Sequence, residues 1–544
     1  MKKTVETLQN SPHEARMHSI ANSLLTLNKA PIAHLSTAEQ EQFIQFGFGS
    51  AETPAHTNVY EAFAYWCQKT PSAIAAEHQN QQISYRELDN RATIIALLLK
   101  QKGIRQGDRI GLYLPRSLHF LTGLIAILKL GAVYVPQDPR IVPANMLRTI
   151  SELSEQKLIL TLESFLEDMP LDTSIAIDST LDNPLYQNLY GNIKLINHHR
   201  YSDQSSCFIL FTSGTTGTPN GVEVTHQNLC NILYTSPGNL HILPGTKVAQ
   251  LLNISFDMAA WEILGCLGNG GHLLIRDKSI AATAEQAEVI IATPTILTGI
   301  DSDRCKHVKT VAVAGEPCPL ILAKQWSAKA NFYNCCGPTE TTIVNTMHLC
   351  SPSENELSIG KPTPNNSVYI LNEDRKPVAI GEVGTMWAGG NCVSKGYLNN
   401  PELNDKKYAP DPFFFGKRTM FNTGDLGKWN DHGELIHYGR IDDQVKIKGF
   451  RVELDAVTAI IERFPEVTRA VSMKFGDALV AVISPVPIFP EELTAMIREE
   501  IQKELPYYYV PGQMEFVKEL PKTSRGKIDK RAVKTFLNIQ NNER

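Results

Sequence analysis

Hydrophobic positions along this chain change their period many times. Runs rich in Val, Ile and Leu, namely "RIGLYLP", "KLILTL", "CFILF", "VAQLL" and "VKTVAVAG", predict buried strands. Between them, "LDNRATIIALLLKQKG" and "FLTGLIAILKLG" predict helices with glycine stops. Strands alternating with helices predict α/β layers around mostly parallel sheets from about 55 to 440. The longest apolar stretch, residues 120–135, contains Lys129 and is short for a membrane span, so it predicts a buried helix running into a strand.

The texture shifts at both ends of this region. Residues 1–50 are polar with a weak helical pattern in "STAEQEQFIQFGFG", which predicts a leader that packs on the main body. A turn-rich stretch, 399–418, precedes a smaller and more charged α+β unit after Arg440. The divisions expected are a leader or linker 1–50, a large α/β subdomain 51–441, a small C-terminal α+β subdomain 442–538 and a tail 539–544.

Composition narrows the class. With 544 residues the chain is too long for one compact core. A formal net charge of -5 and no basic stripe give no footprint for nucleic acid, and neither a membrane partner nor a secretory signal is expected. Ten scattered cysteines without C-x-x-C spacing read as reduced thiols in a cytoplasmic compartment.

Candidate chemistry begins at "LFTSGTTGTPNGVEVTH", where a turn rich in glycine and hydroxyls joins two strands. Backbone N–H groups there can converge on an anion, and Thr212, Ser213, Thr215 and Thr216 add donors. It lacks the lysine of a Walker loop, and alone it also reads as a polar surface loop. "NCCGPTETT" (334–342) places Thr339 and Glu340 at a turn, where a carboxylate suits a hard cation. "FNTGDLG" (421–427) puts Asp425 in a tight glycine turn, fit for sugar hydroxyls. "GRIDDQVKIKGFRVEL" (439–454) crowds charges at the change of texture, and "LPKTSRGKIDKR" (520–531) presents Lys527 in an exposed turn.

These motifs, in this order and together with "SYRELDNRA" (84–92), "LKLGAVYVPQDP" (128–139), "FDMAAWEI" (256–263) and "GEVGTMWAGGNCVSKGYLNNPE" (381–402), resemble the adenylate-forming superfamily. Within it the chain is similar to adenylation domains of nonribosomal peptide synthetases over roughly residues 35–538, and looks like a standalone one. The resemblance implies a large N-terminal α/β multi-sheet domain with a small mobile α+β C-terminal domain. It also implies a ligase that joins a carboxylic acid to AMP, releases pyrophosphate, and then transfers the acyl group to a phosphopantetheine thiol.

Residue roles follow from the resemblance. Thr212, Ser213, Gly214, Thr215, Thr216 and Gly217 would cradle the phosphates of ATP. Glu340 would hold Mg²⁺ and Thr339 would contact the α-phosphate. Asn334 would read the adenine edge, with Gly315 and Glu316 lining its slot. Asp425 and Arg440 would serve the ribose, and Lys446 would reach toward it. Lys527 would bridge the substrate carboxylate and the α-phosphate, Asp442 would be the hinge, and Gly449 would flank the pantetheine arm. Two departures stand out: Asn220 replaces a lysine, and Cys336 replaces an aromatic residue that stacks on adenine.

Asp257 matches the aspartate that pairs with the ammonium of amino-acid substrates, and Phe256 would wall or gate the pocket. Met258, Trp261, Ile291, Ala312, Ala314, Cys335, Ile343 and Val344 would complete an apolar lining. A large apolar substrate is implied, since a polar side chain would be buried there unpaired. Phe-, Trp- and Tyr-like amino acids fit, and Leu remains possible. The expected partner is a separate phosphopantetheinylated carrier protein. The alternatives are an acyl- or aryl-CoA ligase of the same fold and an impaired binding module.

Overall fold

The computed structural model describes residues 27–169, 174–183, 201–212, 219–441, 444–521 and 528–543. Two large sheets carry the N-terminal body. One runs Lys361–Pro362, Thr346–Cys350, Asn331–Cys336, Thr310–Val313, Val289–Ala292, Lys247–Gln250, His272–Ile275, Ile74–His78, Gln81–Ser84. The other runs Gly396–Tyr397, Asn220–Thr225, Ser206–Thr212, Val133–Gln137, Arg109–Tyr113, Leu158–Thr161, Ile175–Ala176. Their central strands pair in parallel, and strands such as Val289–Ala292 are buried along their whole length. That explains the continuous apolar runs: a parallel strand covered on both faces has no polar side.

The apolar stretch around Lys129 is the helix Leu118–Lys129 followed by the strand Val133–Gln137. Every residue of that helix except His119 is buried. Lys129 is tolerated inside because its ammonium meets Asp89 at 2.8 Å and Thr93 Oγ1 at 2.5 Å. No helix of the described residues is long and apolar enough to cross a membrane.

Residues before 50 contribute the helix Thr37–Gly47, started by a capping box between Ser36 and Glu39. It buries Phe43 against Tyr369 and Phe413, and Phe46 against Trp429. These partners belong to an antiparallel sheet built from Asn366–Leu371, Gly384–Gly390, Thr419–Trp429, Tyr408–Pro410 and Leu435–Arg440.

Beyond Arg440 lie the hairpin Gln444–Ile447/Phe450–Glu453 and a sheet of Arg469–Phe475, Ala478–Ser484 and Gln513–Phe516. This unit has its own core, centred on Val457, Ile461, Ala481 and Ile497, and Met146 of the large body packs against it. An aromatic seam closes the junction: Phe450 stacks on Tyr508 at 4.2 Å and meets Phe256 edge-on at 5.4 Å.

Candidate active site

The helix Asp257–Gly268 begins at the mouth of the cleft, with Phe256 as its N-cap residue and Asp257 in its first turn. A carboxylate at a helix N-terminus is favoured by the backbone dipoles. Asp257 bonds the Thr339 side chain and its own helix N–H at Met258, and faces Lys446 from the small domain. Burial nonetheless pushes its carboxyl up to about 6, against the pull of Thr339 and Lys446, with Glu340 adding to the rise.

Behind Asp257 the eight expected wall residues, Met258 through Val344, lie buried in one apolar cluster. Trp261 is fully buried and locked by an indole N–H bond to the Gly238 carbonyl at 2.7 Å. Ile291 and Ala312 are register partners on adjacent strands, which sets small beside large on the same wall. Thr342 and Ile343 both take left-handed backbone conformations, at φ 53° and 73°. β-Branched residues avoid that region, so the surroundings must impose it. Thr342 is pinned by its hydroxyl bond to the Cys392 carbonyl at 2.8 Å, and a Cβ at Gly337 would fall 2.6 Å from Val344 Cα.

On the other side of the cleft, Asp425 accepts from Arg440 at 2.8 Å and lies 3.4 Å from His437 Nε2. Burial would raise its carboxyl, but the His437 hydrogen bond and the charges of Arg440 and Lys446 hold it below the usual carboxylate range. The tight turn expected around Asp425 is absent: Asp425 lies inside the long strand Thr419–Trp429. Gly424, at φ 75°, and a shift of register between Asp425 and Gly427 make a bulge instead, and that bulge aims the carboxylate.

Glu340 is fully buried in the short turn Thr339–Thr341, and its Oε1 accepts from the Tyr397 hydroxyl at 2.6 Å. Asn334 donates its amide to the Ser358 carbonyl at 2.7 Å. Gly315 takes φ 92°, and Glu316 caps Thr295 N–H at 3.1 Å. Cys336 keeps its proton: burial and the nearby Asp425 push the thiol up to about 12. All ten cysteines are unpaired thiols.

A family model described as AMP-binding enzyme matches residues 63–398, and one described as AMP-binding enzyme C-terminal domain matches 457–527. The chain belongs to the AMP-binding enzyme family. It is an adenylate-forming enzyme of the class that converts ATP to AMP, and it is similar to nonribosomal peptide synthetase adenylation domains. Adenylate-forming reductase 06235 of Coprinopsis cinerea is 41% identical over 94% of this chain and 50% of its own length. Bacitracin synthase 3 of Bacillus licheniformis is 30% identical over 91% of this chain and 8% of its own. This chain therefore spans half or less of these curated relatives. In fold it resembles the Vibrio cholerae adenylation domain AlmE in complex with glycyl-adenosine-5'-phosphate, at TM-score 0.74 and 20% identity over 90% of this chain and all of that one.

In this adenylate-forming enzyme the cleft gathers Asp257, Thr339, Glu340, Asp425, Arg440 and Lys446, residues spread over almost 190 positions. Ser213 to Gly217, Asp442 and Lys527 lie outside the described residues. Thr212 ends its strand opposite Asn220. Asn220 lends its side-chain oxygen to Asn400 at 3.2 Å, so a neutral bond stands where a lysine was expected. Sequence reasoning missed His437 and Tyr397. Neither belongs to a phosphate-like or acidic motif: His437 reaches Asp425 from the paired strand Leu435–Arg440, and Tyr397 reaches Glu340 from the strand Gly396–Tyr397 to the short turn Thr339–Thr341. Lys446 was expected near the ribose group, and its charge acts on both Asp425 and Asp257.

Proposed function

We propose that this enzyme activates an amino acid with a large apolar, aromatic side chain as its aminoacyl-AMP and passes it to the phosphopantetheine thiol of a carrier protein. One observation supports the reading: a buried carboxylate, Asp257, stands in the first turn of its helix beside a cluster of apolar side chains. An incoming ammonium would add a cation to the Thr339, Met258 N–H and Lys446 that already face Asp257, and the hydrocarbon side chain would meet Trp261, Ala312 and Ala314. AlmE, whose structure contains a glycyl adenylate, supports an aminoacyl product.

The substrate carboxylate then attacks the α-phosphorus of ATP and pyrophosphate leaves. Positioning and charge neutralisation do most of the work in such a displacement. Thr339, bonded to Asp257, would contact the α-phosphate. Asp425, kept ionised by His437 and Arg440, accepts from the ribose hydroxyls. Glu340 fits Mg²⁺ by chemistry, as a hard oxygen donor oriented by Tyr397, with substrate phosphates completing the usual shell. When bound, the ion would neutralise phosphate charge.

Thiol transfer fits the small domain's placement, with Gly449 against Thr293 beside the cleft. Adenylate formation comes first in either fate: transfer to a thiol, or the reduction that the Coprinopsis relative's name adds. Pyrophosphate exchange into ATP, screened over all amino acids, tests the reading. Exchange should be highest with aromatic amino acids; none with any apolar amino acid, or unchanged exchange in Asp257→Ala, would sink it.

A further inference from the structure

The strand Thr346–Cys350 carries a side-chain cluster outside every motif used above. His348 and Cys350 are two residues apart on it, so their side chains share a face, while Leu349 between them is exposed. The chain then turns at Ser351 and brings Glu354 back. Its Oε1 accepts the Ser351 N–H at 2.7 Å and lies 3.0 Å from His348 Nε2. One ligand atom each from His348, Cys350 and Glu354 falls within 4.8 Å of the others. The thiol is buried, and the imidazole is only 11% exposed.

The cluster is not complete in itself. Glu354 Oε2 is buried and has no hydrogen-bond partner among the described residues. A buried carboxylate oxygen with nothing to accept costs stability. His348 has the opposite problem: its Nδ1 lies 3.2 Å from Glu434 Oε1, while its Nε2 faces Glu354. A neutral imidazole has one N–H to give and cannot serve both carboxylates. A cation between Nε2, the Cys350 sulfur and Glu354 answers both needs. Nδ1–H then goes to Glu434, the Nε2 lone pair faces the ion, and Glu354 Oε2 gains a partner. Metal-binding histidines are commonly oriented this way, by a carboxylate on the other ring nitrogen. Glu434 is itself held by Asn430, whose Oδ1 accepts the Glu434 N–H at 2.9 Å.

We propose that His348, Cys350 and Glu354 bind a transition-metal dication of the zinc class, with Glu434 orienting the imidazole. Nitrogen, sulfur and carboxylate donors together suit a borderline-soft ion, whereas Mg²⁺ takes oxygen. Bonds of about 2.0–2.3 Å set such donors about 3.5 Å apart, so the cluster has to draw in by about 1 Å. Three protein ligands leave a fourth position for water, and the thiol proton goes to solvent on binding. The site also has a structural reach. His348 is the register partner of Asn334, and the chain leaving Glu354 supplies the Ser358 carbonyl that holds the Asn334 amide at 2.7 Å. The ion ties residues 351–358 to the strand and so braces Asn334 from behind.

The chelator-treated full chain is titrated with Zn²⁺ and with Co²⁺, without nucleotide. One equivalent of zinc should bind with a Kd on the order of 1 μM or tighter. Cobalt should give the charge-transfer absorption of a thiolate–cobalt bond. Cys350→Ser should abolish that band and weaken zinc about 100-fold or more, Glu434→Gln should weaken zinc about tenfold, and Cys305→Ser should change neither. Mg²⁺ in large excess should not compete. Glu354→Gln, at a partly exposed position, should also weaken zinc and carries the test if Cys350→Ser fails to fold. With zinc bound, amide hydrogen exchange across 351–358 should slow. Zinc affinity unchanged in Cys350→Ser and Glu354→Gln, or a cobalt band lost equally in Cys305→Ser, would overturn the site. Zinc binding weaker than the expected range would do the same, leaving His348 as an ion-paired imidazolium between two carboxylates. Unchanged exchange with zinc bound would overturn the bracing role.

Discussion

Gly449 of the small domain lies against Thr293 of the large one so closely that a Cβ on Gly449 would fall 2.7 Å from Thr293 Cγ2. Gly449 also takes φ 84°, which disfavours any other residue. The hairpin tip is therefore held at the cleft only because it has no side chain. Gly449→Leu should block this arrangement and leave the adenylation half-reaction intact. Exchange should stay within about twofold, and thiol acylation should fall by roughly 10²-fold. Equal loss of both would mean that the contact serves folding alone.

Asp257→Asn should separate stability from activity. Because the folded-state carboxyl is raised to about 6, the native state holds its proton more tightly than the unfolded chain does. Stability is thus lost as pH rises through that range, and the amide removes the loss. The variant should melt higher than the parent at pH 7.5 without substrate, and by less or not at all at pH 4. Exchange should fall by roughly 10²-fold or more, since one partner of a buried charge pair is gone. In the parent, the KM for the amino acid should climb as pH drops below about 6, where Asp257 takes up its proton.

Tyr397→Phe removes the donor that orients Glu340 at 2.6 Å. A hydrogen bond to a charged group contributes on the order of 1.5–3 kcal/mol. Exchange should drop about tenfold or more in kcat, with the KM for the amino acid nearly unchanged because the phenol does not line the acid pocket. A change confined to that KM would contradict the assignment.

Ala312→Leu puts three extra carbons on the wall beside Ile291, at a fully buried position. Overpacking in a closed wall is not absorbed, so the largest substrates should lose most. Aromatic amino acids should fall by roughly tenfold or more in kcat/KM, and smaller aliphatic ones should gain relative to them. A uniform fall across all substrates would place Ala312 outside the pocket.

Much of the architecture was readable in the chain. The run around Lys129 was legible as a buried helix and strand, because length and period separate it from a membrane span. Asp257, Glu340 and Asp425 were singled out from motifs whose neighbours shape a turn or strand end, and the fold brings these three carboxylates to one cleft. The setting of Asp425 was misread: a glycine beside it serves a turn or a bulge equally well, and only pairing with Leu435–Arg440 selects the bulge. Tyr397 lies within the quoted motif 381–402, but nothing in that motif ties it to Glu340, and His437 lies in no quoted motif.

By itself the sequence determined the periodic elements, the buried apolar runs and the family resemblance, since these depend on near neighbours and on which residues leave water. Tertiary structure alone decided which charges meet. Lys446 facing Asp257, and Arg440 and His437 beside Asp425, come together through sheet order and domain docking. Those contacts join residues far apart in the chain, and electrostatic energy depends on distance in space and on burial, neither of which a local pattern encodes.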